Sequence, residues 1–286
     1  MHDRVFDLKM PQDSVSLAVF SSPHSGSAYP REFLKTSRLS RLDLRSSEDA
    51  FVDELFGAVP ALGAPLLSAR FPRAYVDVNR AASEIDPAMV TGVKSTGTNP
   101  RLAAGLGVIP RVVSDNRAII DGKISLEEAR ARLESCYYPY HRMLRKLITE
   151  RKTFLGGAIL FDCHSMPHEA LSSVPRVMGR SPEIVLGNRF GAASSGWIMD
   201  EACEAFRSEG FVVAKNAPFA GGYITRQYGN PREYTHAIQI EIDRSLYMDE
   251  ARITPNADFE AIRQRLTEVA RKLVQLGQRA MRYAAE

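Results

Sequence analysis

The sequence predicts an α/β sandwich built on a largely parallel or mixed sheet. Two patterns carry that expectation: apolar runs of strand length recur along the chain, and the stretches between them repeat apolar residues at helical spacing. A third observation bounds it. At 286 residues the chain can bury a large core, as one large domain or two smaller ones, and no repeat, low-complexity tract or long linker divides it.

The elements follow in order. "VSLAVFSS" (15–22) reads as the first strand. "SSEDAFVDELFGAVPAL" (46–62) places Phe51, Val52, Leu55, Phe56 and Val59 at helical spacing, with Ser46 or Ser47 as a cap ahead of an acidic first turn. "APLLSARF" (64–71) and "YVDVNR" (75–80) read as strands. "SLEEARARLESCYYPYHRMLRKLITER" (125–151) reads as a helix, with Ser125 capping toward Glu128 in a capping-box pattern. Strands are expected at "GAILFDCHS" (157–165), "EIVLGN" (183–188), "FVVAKN" (211–216) and "HAIQIEID" (236–243). Between them, "MDEACEAFRSEG" (199–210) is a helix stopped by Gly210, and "FEAIRQRLTEVARKLVQLGQRAMRYA" (259–284) closes the chain as a long amphipathic helix.

Composition excludes several classes of function. The 37 basic residues are nearly balanced by 34 acidic ones and interleaved with them, so a net charge of +3 gives no footprint for nucleic acid. Cys136, Cys163 and Cys203 are widely spaced and odd in number, which fits reduced thiols in a cytoplasmic protein better than a disulfide framework. The opening "MHDRVFDLKM" lacks the apolar stretch of a signal peptide, and no run of about 18 apolar residues occurs, so no membrane partner is expected. Oligomeric state is not encoded in any recognisable pattern.

In open α/β sheets ligands bind beyond the carboxyl ends of the strands. His24 follows the strand ending near Ser22, His164 follows "GAILFD", and Glu241 sits within "HAIQIEID". Two histidines and a carboxylate at neighbouring strand ends suit zinc, which takes nitrogen and oxygen ligands and keeps a position open in catalytic sites. No short HExxH-type motif is present, and a turn or hydrogen-bonding role is the plainer reading of either histidine taken singly. Glu241 is flanked by Ile240 and Ile242, which face the other side of the strand. A lone buried carboxylate costs several kcal/mol, so Glu241 is either functional or paired with an arginine.

Two further clusters stand out. In "FPRAYVDVNR" (71–80), Arg73, Asp77 and Asn79 would share one face of a strand, with Arg80 beside them. Arginine and asparagine donors suit a substrate carboxylate, which a guanidinium grips through two parallel hydrogen bonds; a solvated edge is the alternative. In "FAGGYITRQYGNP" (219–231), Gly221-Gly222 ahead of Tyr223 and Arg226 permits close approach of a ligand, or forms a plain surface turn.

Taken together, "PHSG", "SRxxxDxNR" (with Pro72 in place of the first Ser), "GLGVIPRV", "PYHRML", "DCHS", "GGYITRQYG" and "IQIEIDRSLYMDE", in that order, resemble the N-formylglutamate amidohydrolase family, a relative of the zinc carboxypeptidases. The resemblance runs from about Val15 to Glu250 and on toward the last helix. It implies a single domain over residues 1–286 with a three-layer, phosphorylase/hydrolase-like α/β/α sandwich. It also implies one Zn2+ per chain, or another divalent metal, held by His24, His164 and a carboxylate of the "SSEDAF" helix, Asp49 in preference to Glu48. Glu241 resembles the general base that activates the attacking water, and Asn79 with Arg80 resembles the pair that holds a substrate carboxylate. Arg73, Arg111, Tyr223 and Arg226 are further candidates for a second carboxylate or for the oxyanion; Gln227 stands where members often carry His.

The expected reaction is hydrolysis of the amide of an N-formyl acidic amino acid, a small substrate bearing carboxylates, with N-formyl-L-glutamate giving formate and L-glutamate. Another N-acyl amino-acid amidohydrolase, a metallocarboxypeptidase, or a non-catalytic binder of acidic amino acids are the alternatives.

Overall fold

The computed structural model describes residues 4–13, 16–94 and 99–283. Val15, where the first expected strand begins, and Ala284, where the last expected helix ends, lie outside the described residues. Seven strands form one mixed sheet: β1 (Phe6–Lys9), β2 (Ala18–Ser22), β3 (Leu66–Ala69), β4 (Ala158–Met166), β5 (Ile184–Gly187), β6 (Val213–Lys215) and β7 (Thr235–Asp243). Their order across the sheet is β1-β3-β2-β4-β7-β5-β6. β2, β4 and β7 run parallel, whereas β5 is antiparallel to β7 and parallel to β6. The fold is α/β, with helices on both sides of the sheet, as the sequence predicts.

The chain forms two compact units. One comprises the N-terminal residues through Asp7 with Pro23–Ala50 and Ser68–Met143; the other comprises Leu8–Ser22, Phe51–Leu67 and the chain from Leu144 onward.

In the second unit, register sorts the side chains of the central strands. Phe20, Phe161 and Ile238 align across β2, β4 and β7, and Cys163 aligns with Ile240. With Ile242 and its partner Ile184, they make one face of the sheet apolar, and each buried side chain of this size is worth about 1.5–3 kcal/mol. The helices Val52–Leu55, Gly196–Arg207 and Phe259–Tyr283 pack over this face. The last helix approaches closely at Gly277, where a Cβ would stand 2.3 Å from Ser16 Oγ and 2.9 Å from the Ala18 backbone nitrogen. Ser16 Oγ also donates to the Val274 carbonyl at 2.7 Å. The opposite face carries Asp162, His164, Gln239 and Glu241, because residues two apart on a strand point the same way.

The first unit has no such regularity. Its core gathers Phe33, Leu44, Ala74, Val113 and Ile119, with Tyr29 and Tyr75 packed against them. The buried Arg132 lies over the Tyr75 ring at 4.4 Å from its centroid and pairs with Glu128.

Three local expectations are corrected. "YVDVNR" is not a strand: Tyr75 N–H donates to the Pro72 carbonyl at 3.0 Å and Asp77 N–H to Val108 at 2.9 Å. The fixed φ of Pro72 favours a turn there, and the alternating valines are buried by loop packing instead of a ladder. The helix expected over 46–62 is broken. Ser46 ends a preceding helix, Arg41–Arg45, whose cap is Ser40 in a full capping box with Asp43. Phe51 then adopts left-handed φ of 67°, and only Val52–Leu55 and a short 3-10 turn, Val59–Leu62, are helical. The helix expected over 125–151 is present but interrupted: Leu126–Arg132, a π-helical turn Leu133–Tyr137, then Tyr138–Leu155. Ser125 Oγ accepts from Glu128 N–H at 3.0 Å, while the Glu128 carboxylate turns to Arg132.

Candidate active site

The loop-borne part belongs to the first unit. The chain leaves β2 at Ser22 and turns through "PHSG", where Gly26 passes so near the Arg70–Phe71 backbone that a Cβ would lie 2.3 Å from the Phe71 carbonyl oxygen. That approach leaves His24 buried, 1% exposed. Its backbone carbonyl accepts from Asp49 N–H at 3.0 Å, and its Nδ1 lies 3.3 Å from Asp49 Oδ2. On the other side of the ring, His24 Nε2 meets Asp77 Oδ1 at 2.9 Å. Asp77 is further held by Arg73 Nε at 3.1 Å, by the Asn79 N–H at 2.8 Å and by Arg80 at 4.0 Å. Burial alone would raise the Asp77 carboxyl, but Arg73, His24 and Arg80 together outweigh it and hold the group well below the usual carboxylate range.

Glu48, the neighbouring carboxylate, faces elsewhere. It accepts from Tyr29 Oη at 2.6 Å and Arg45 Nε at 2.9 Å, and burial raises it despite those partners. The Asn79–Arg80 pair is buried, and part of Arg80 is committed to backbone: Nη1 donates to Asn79 O at 2.9 Å and Nε to Leu106 O at 3.0 Å. Arg111 is anchored on Asp86, with Nε to Oδ2 at 3.0 Å, and reaches the Ala103 carbonyl at 3.2 Å.

The strand-borne part belongs to the second unit. His164 and Glu241 are direct partners across β4 and β7, as are Asp162 and Gln239 one pleat earlier, so the four side chains form a square on one face. His164 Nε2 meets Asp162 Oδ2 at 2.8 Å, and Gln239 Nε2 donates to Glu241 Oε1. Gln239 Oε1 in turn accepts from Gly222 N–H at 2.7 Å, tying the Gly-Gly segment to the sheet. Beyond it the short helix Tyr223–Tyr228 sets the exposed Arg226 over the Tyr223 ring, 5.5 Å from the centroid, with Gln227 exposed beside it.

Both histidines therefore have Nε2 on an aspartate. With the aspartate ionised, Nε2 carries the proton, and Nδ1 is the nitrogen with a lone pair to offer. A carboxylate behind a ligating imidazole is the usual support of a zinc-bound histidine, so the donor chemistry fits a divalent metal. Sequence reasoning named Asp77 only as part of a charge cluster and missed Asp162 and Gln239. The spacing of two between Asp162 and His164, and between Gln239 and Glu241, was a usable signal within strands; no local pattern announces the Asp77–His24 contact.

Comparison with known proteins bears on this arrangement. Residues 16–248 match the family described as N-formylglutamate amidohydrolase. An N-formylglutamate deformylase of Pseudomonas aeruginosa is 32% identical over 82% of this chain and 84% of its own. One from Pseudomonas putida is 30% identical over 71% of each. The crystal structure of N-formylglutamate amidohydrolase from Ralstonia eutropha superposes with a TM-score of 0.88 and 33% identity, covering 96% of this chain and 98% of that one. A gene product from Agrobacterium tumefaciens shares the fold at 16% identity and a TM-score of 0.65.

Proposed function

Because the chain belongs to the N-formylglutamate amidohydrolase family, we propose that it hydrolyses N-formyl-L-glutamate to formate and L-glutamate with the help of one divalent metal ion, Zn2+ by donor type. His24, Asp49 and His164 would hold the ion: all three are buried, and each offers one ligand atom of a kind zinc takes. The observation that carries the reading is the matched support of the two histidines, each Nε2 on its own aspartate.

When bound, such an ion supplies Lewis-acid polarisation of the formyl carbonyl and lowers the pKa of water at the site. The remaining work falls to the chain. Glu241 takes the proton of the attacking water and delivers it to the departing amine nitrogen. Gln239 fixes the Glu241 carboxylate by donating to Oε1. Asn79 and the uncommitted part of the Arg80 guanidinium receive the substrate α-carboxylate, with Arg73 steadying them through Asp77. Tyr223 and Arg226 stand as donors for the developing oxyanion, while Arg111, tied to Asp86, shapes the loop in which it lies.

The test is a metal analysis and a deformylation assay on the same preparation. About one zinc per chain is expected, with turnover of N-formyl-L-glutamate abolished by a chelator and restored by Zn2+. His24→Ala and His164→Ala should each strip most of the metal. Full metal retention in both variants, or chelator-resistant turnover, overturns the assignment. Among the described residues no helix is long and apolar enough to cross a membrane. The three cysteines are free and buried, which supports a reducing compartment such as the cytoplasm.

A further inference from the structure

We propose that Arg189, at the end of β5, recognises the side-chain carboxylate of the substrate and sets the enzyme's preference for an acidic amino acid; the inference rests on the deformylase reading above. Its starting point is Gly187. Gly187 pairs directly with Gln239 across the antiparallel β5/β7 ladder, so both residues face the same side of the sheet as Glu241 and His164. With no side chain at Gly187, the Ala220–Gly221 backbone lies directly on that position: a Cβ there would be 2.6 Å from the Ala220 carbonyl carbon and 2.8 Å from the Gly221 nitrogen. The Gly-Gly segment is thereby laid on the face that carries the proposed base, and Gly222 N–H is pinned by Gln239.

Arg189 is built against that segment. Its N–H donates to the Ala220 carbonyl at 2.7 Å, and its side-chain stem lies where a Cβ on Gly221 would project, 3.0 Å from Cγ. Arg189 and Phe190 are consecutive non-glycine residues in the left-handed region, with φ of 54° and 55°. Such a pair persists only where the surroundings fix it. Here the Asn188–Asn216 amides do so: Asn216 Oδ1 accepts from the N–H groups of Asn188 and Phe190 at 2.9 and 3.3 Å, and Asn188 Oδ1 accepts from Gly191 N–H at 3.1 Å. The strained turn thus holds the stem of Arg189 on the glycines.

Half-buried, the Arg189 guanidinium makes no hydrogen bond or ion pair among the described residues. Of the other arginines considered for this role, Arg111 is paired with Asp86 and Arg73 with Asp77, while Arg226 is exposed over the Tyr223 ring and is assigned above to the oxyanion. A planar fork with its donors open, its stem resting on the glycines that are laid over the Glu241 face, suits a carboxylate remote from the scissile amide.

The experiment compares N-formyl-L-glutamate with N-formyl-L-glutamine, which has the same shape without the charge. Wild type is expected to prefer the glutamate compound. Arg189→Met keeps the apolar stem and should narrow that preference in kcat/KM by about tenfold or more, chiefly through KM for the glutamate compound. Arg189→Lys, which keeps charge but loses the fork, should fall between them. Metal content and melting temperature measured on each variant exclude a folding effect, which a purely structural arginine would show first. If wild type turns over N-formyl-L-glutamate and Arg189→Met retains the full preference, this assignment fails and the deformylase reading stands. A metal-loaded wild type that turns over neither compound overturns the reading and the assignment with it.

Discussion

His24 and His164 have the same chemical support and opposite structural origins. His164 takes its aspartate from two residues away on the same strand, so the pleat alone puts them side by side. His24 takes Asp77 from 53 residues away, and neither lies in a regular element. The strand-borne group is held by the ladder and by burial, with the Glu241–Gln239–Gly222 chain extending it. The loop-borne group is held by charge: Arg73 and Arg80 grip Asp77, and Arg45 grips Glu48 beside Asp49. A ladder needs no particular side chains to keep its geometry, whereas an ion-paired loop loses its geometry with any one partner.

The largest effect is expected at Glu241, where the strand supplies the scaffold and the side chain only the chemistry. Glu241→Gln keeps shape but cannot accept a proton, so kcat should fall about 10²–10⁴-fold. Metal content and the melting temperature should stay near those of wild type, because the ladder at β7 is untouched. A variant that loses metal would make Glu241 a ligand; one that keeps its rate would return it to a structural carboxylate.

The same contrast explains what could be read from sequence. β4 and β7 were legible because nine-residue, fully buried strands repeat apolar residues at a period of two, as Ile238, Ile240 and Ile242 do, and a carboxylate between them is conspicuous. The polar square on their face follows from a period of two once the strands are paired. In the loop-borne half, His24 was legible from the strand end before it and Arg73, Asp77, Asn79 and Arg80 as a polar cluster, whereas Asp49 came only through motif resemblance. Alternation in "YVDVNR" mimicked a strand, because Val76 and Val78 are buried by loop packing while their backbone follows turns from Pro72. Helical spacing in 46–62 was equally misleading. Asp49 gives its N–H to the His24 carbonyl and Phe51 turns left-handed, long-range commitments that no local window contains. Arg189 went unnoticed for the same reason, since Gly187 and Gly221 acquire meaning only when they are stacked.

Removing each supporting aspartate puts the comparison at risk directly. Asp77→Asn and Asp162→Asn should both weaken metal binding about 10–100-fold in chelator competition, since each frees an imidazole from its partner. Stability should separate them. Asp77→Asn leaves Arg73 and Arg80 facing a neutral amide in a buried loop, so its melting temperature should drop. Asp162 is fully buried with one oxygen that has no hydrogen-bond partner among the described residues, so Asp162→Asn relieves a desolvated charge and should melt no lower than wild type. Equal losses of stability in the two variants would dissolve the distinction between a charge-held and a ladder-held half.

A smaller effect is expected at Arg80. Its guanidinium already donates to two backbone carbonyls, so Arg80→Lys should both loosen the loop and lose the fork, raising KM for N-formyl-L-glutamate several-fold with kcat less affected. An unchanged KM would leave Arg80 a purely structural residue of the loop.

The smallest effect concerns stability and isolates the burial that holds the strand-borne half. His236 begins the apolar face of β7 and is only 8% exposed; desolvation lowers its pKa from 6.5 to about 4. Its Nδ1 accepts from Ser195 N–H at 3.3 Å, which also favours the neutral ring. Between about pH 6.5 and 4 the unfolded chain takes up a proton at this position and the native chain does not, so native stability falls as the pH is lowered through that window. The full shift corresponds to a ceiling on the order of 3 kcal/mol. His236→Asn keeps a short acceptor for Ser195 and removes the titration. Groups elsewhere in the chain titrate alike in both proteins, so the difference between their melting curves reports on His236 alone. The fall in melting temperature from pH 7 to pH 4.5 should be smaller in the variant by a few degrees. Parallel curves would mean that water reaches this end of β7 and that burial is not what holds the strand-borne half.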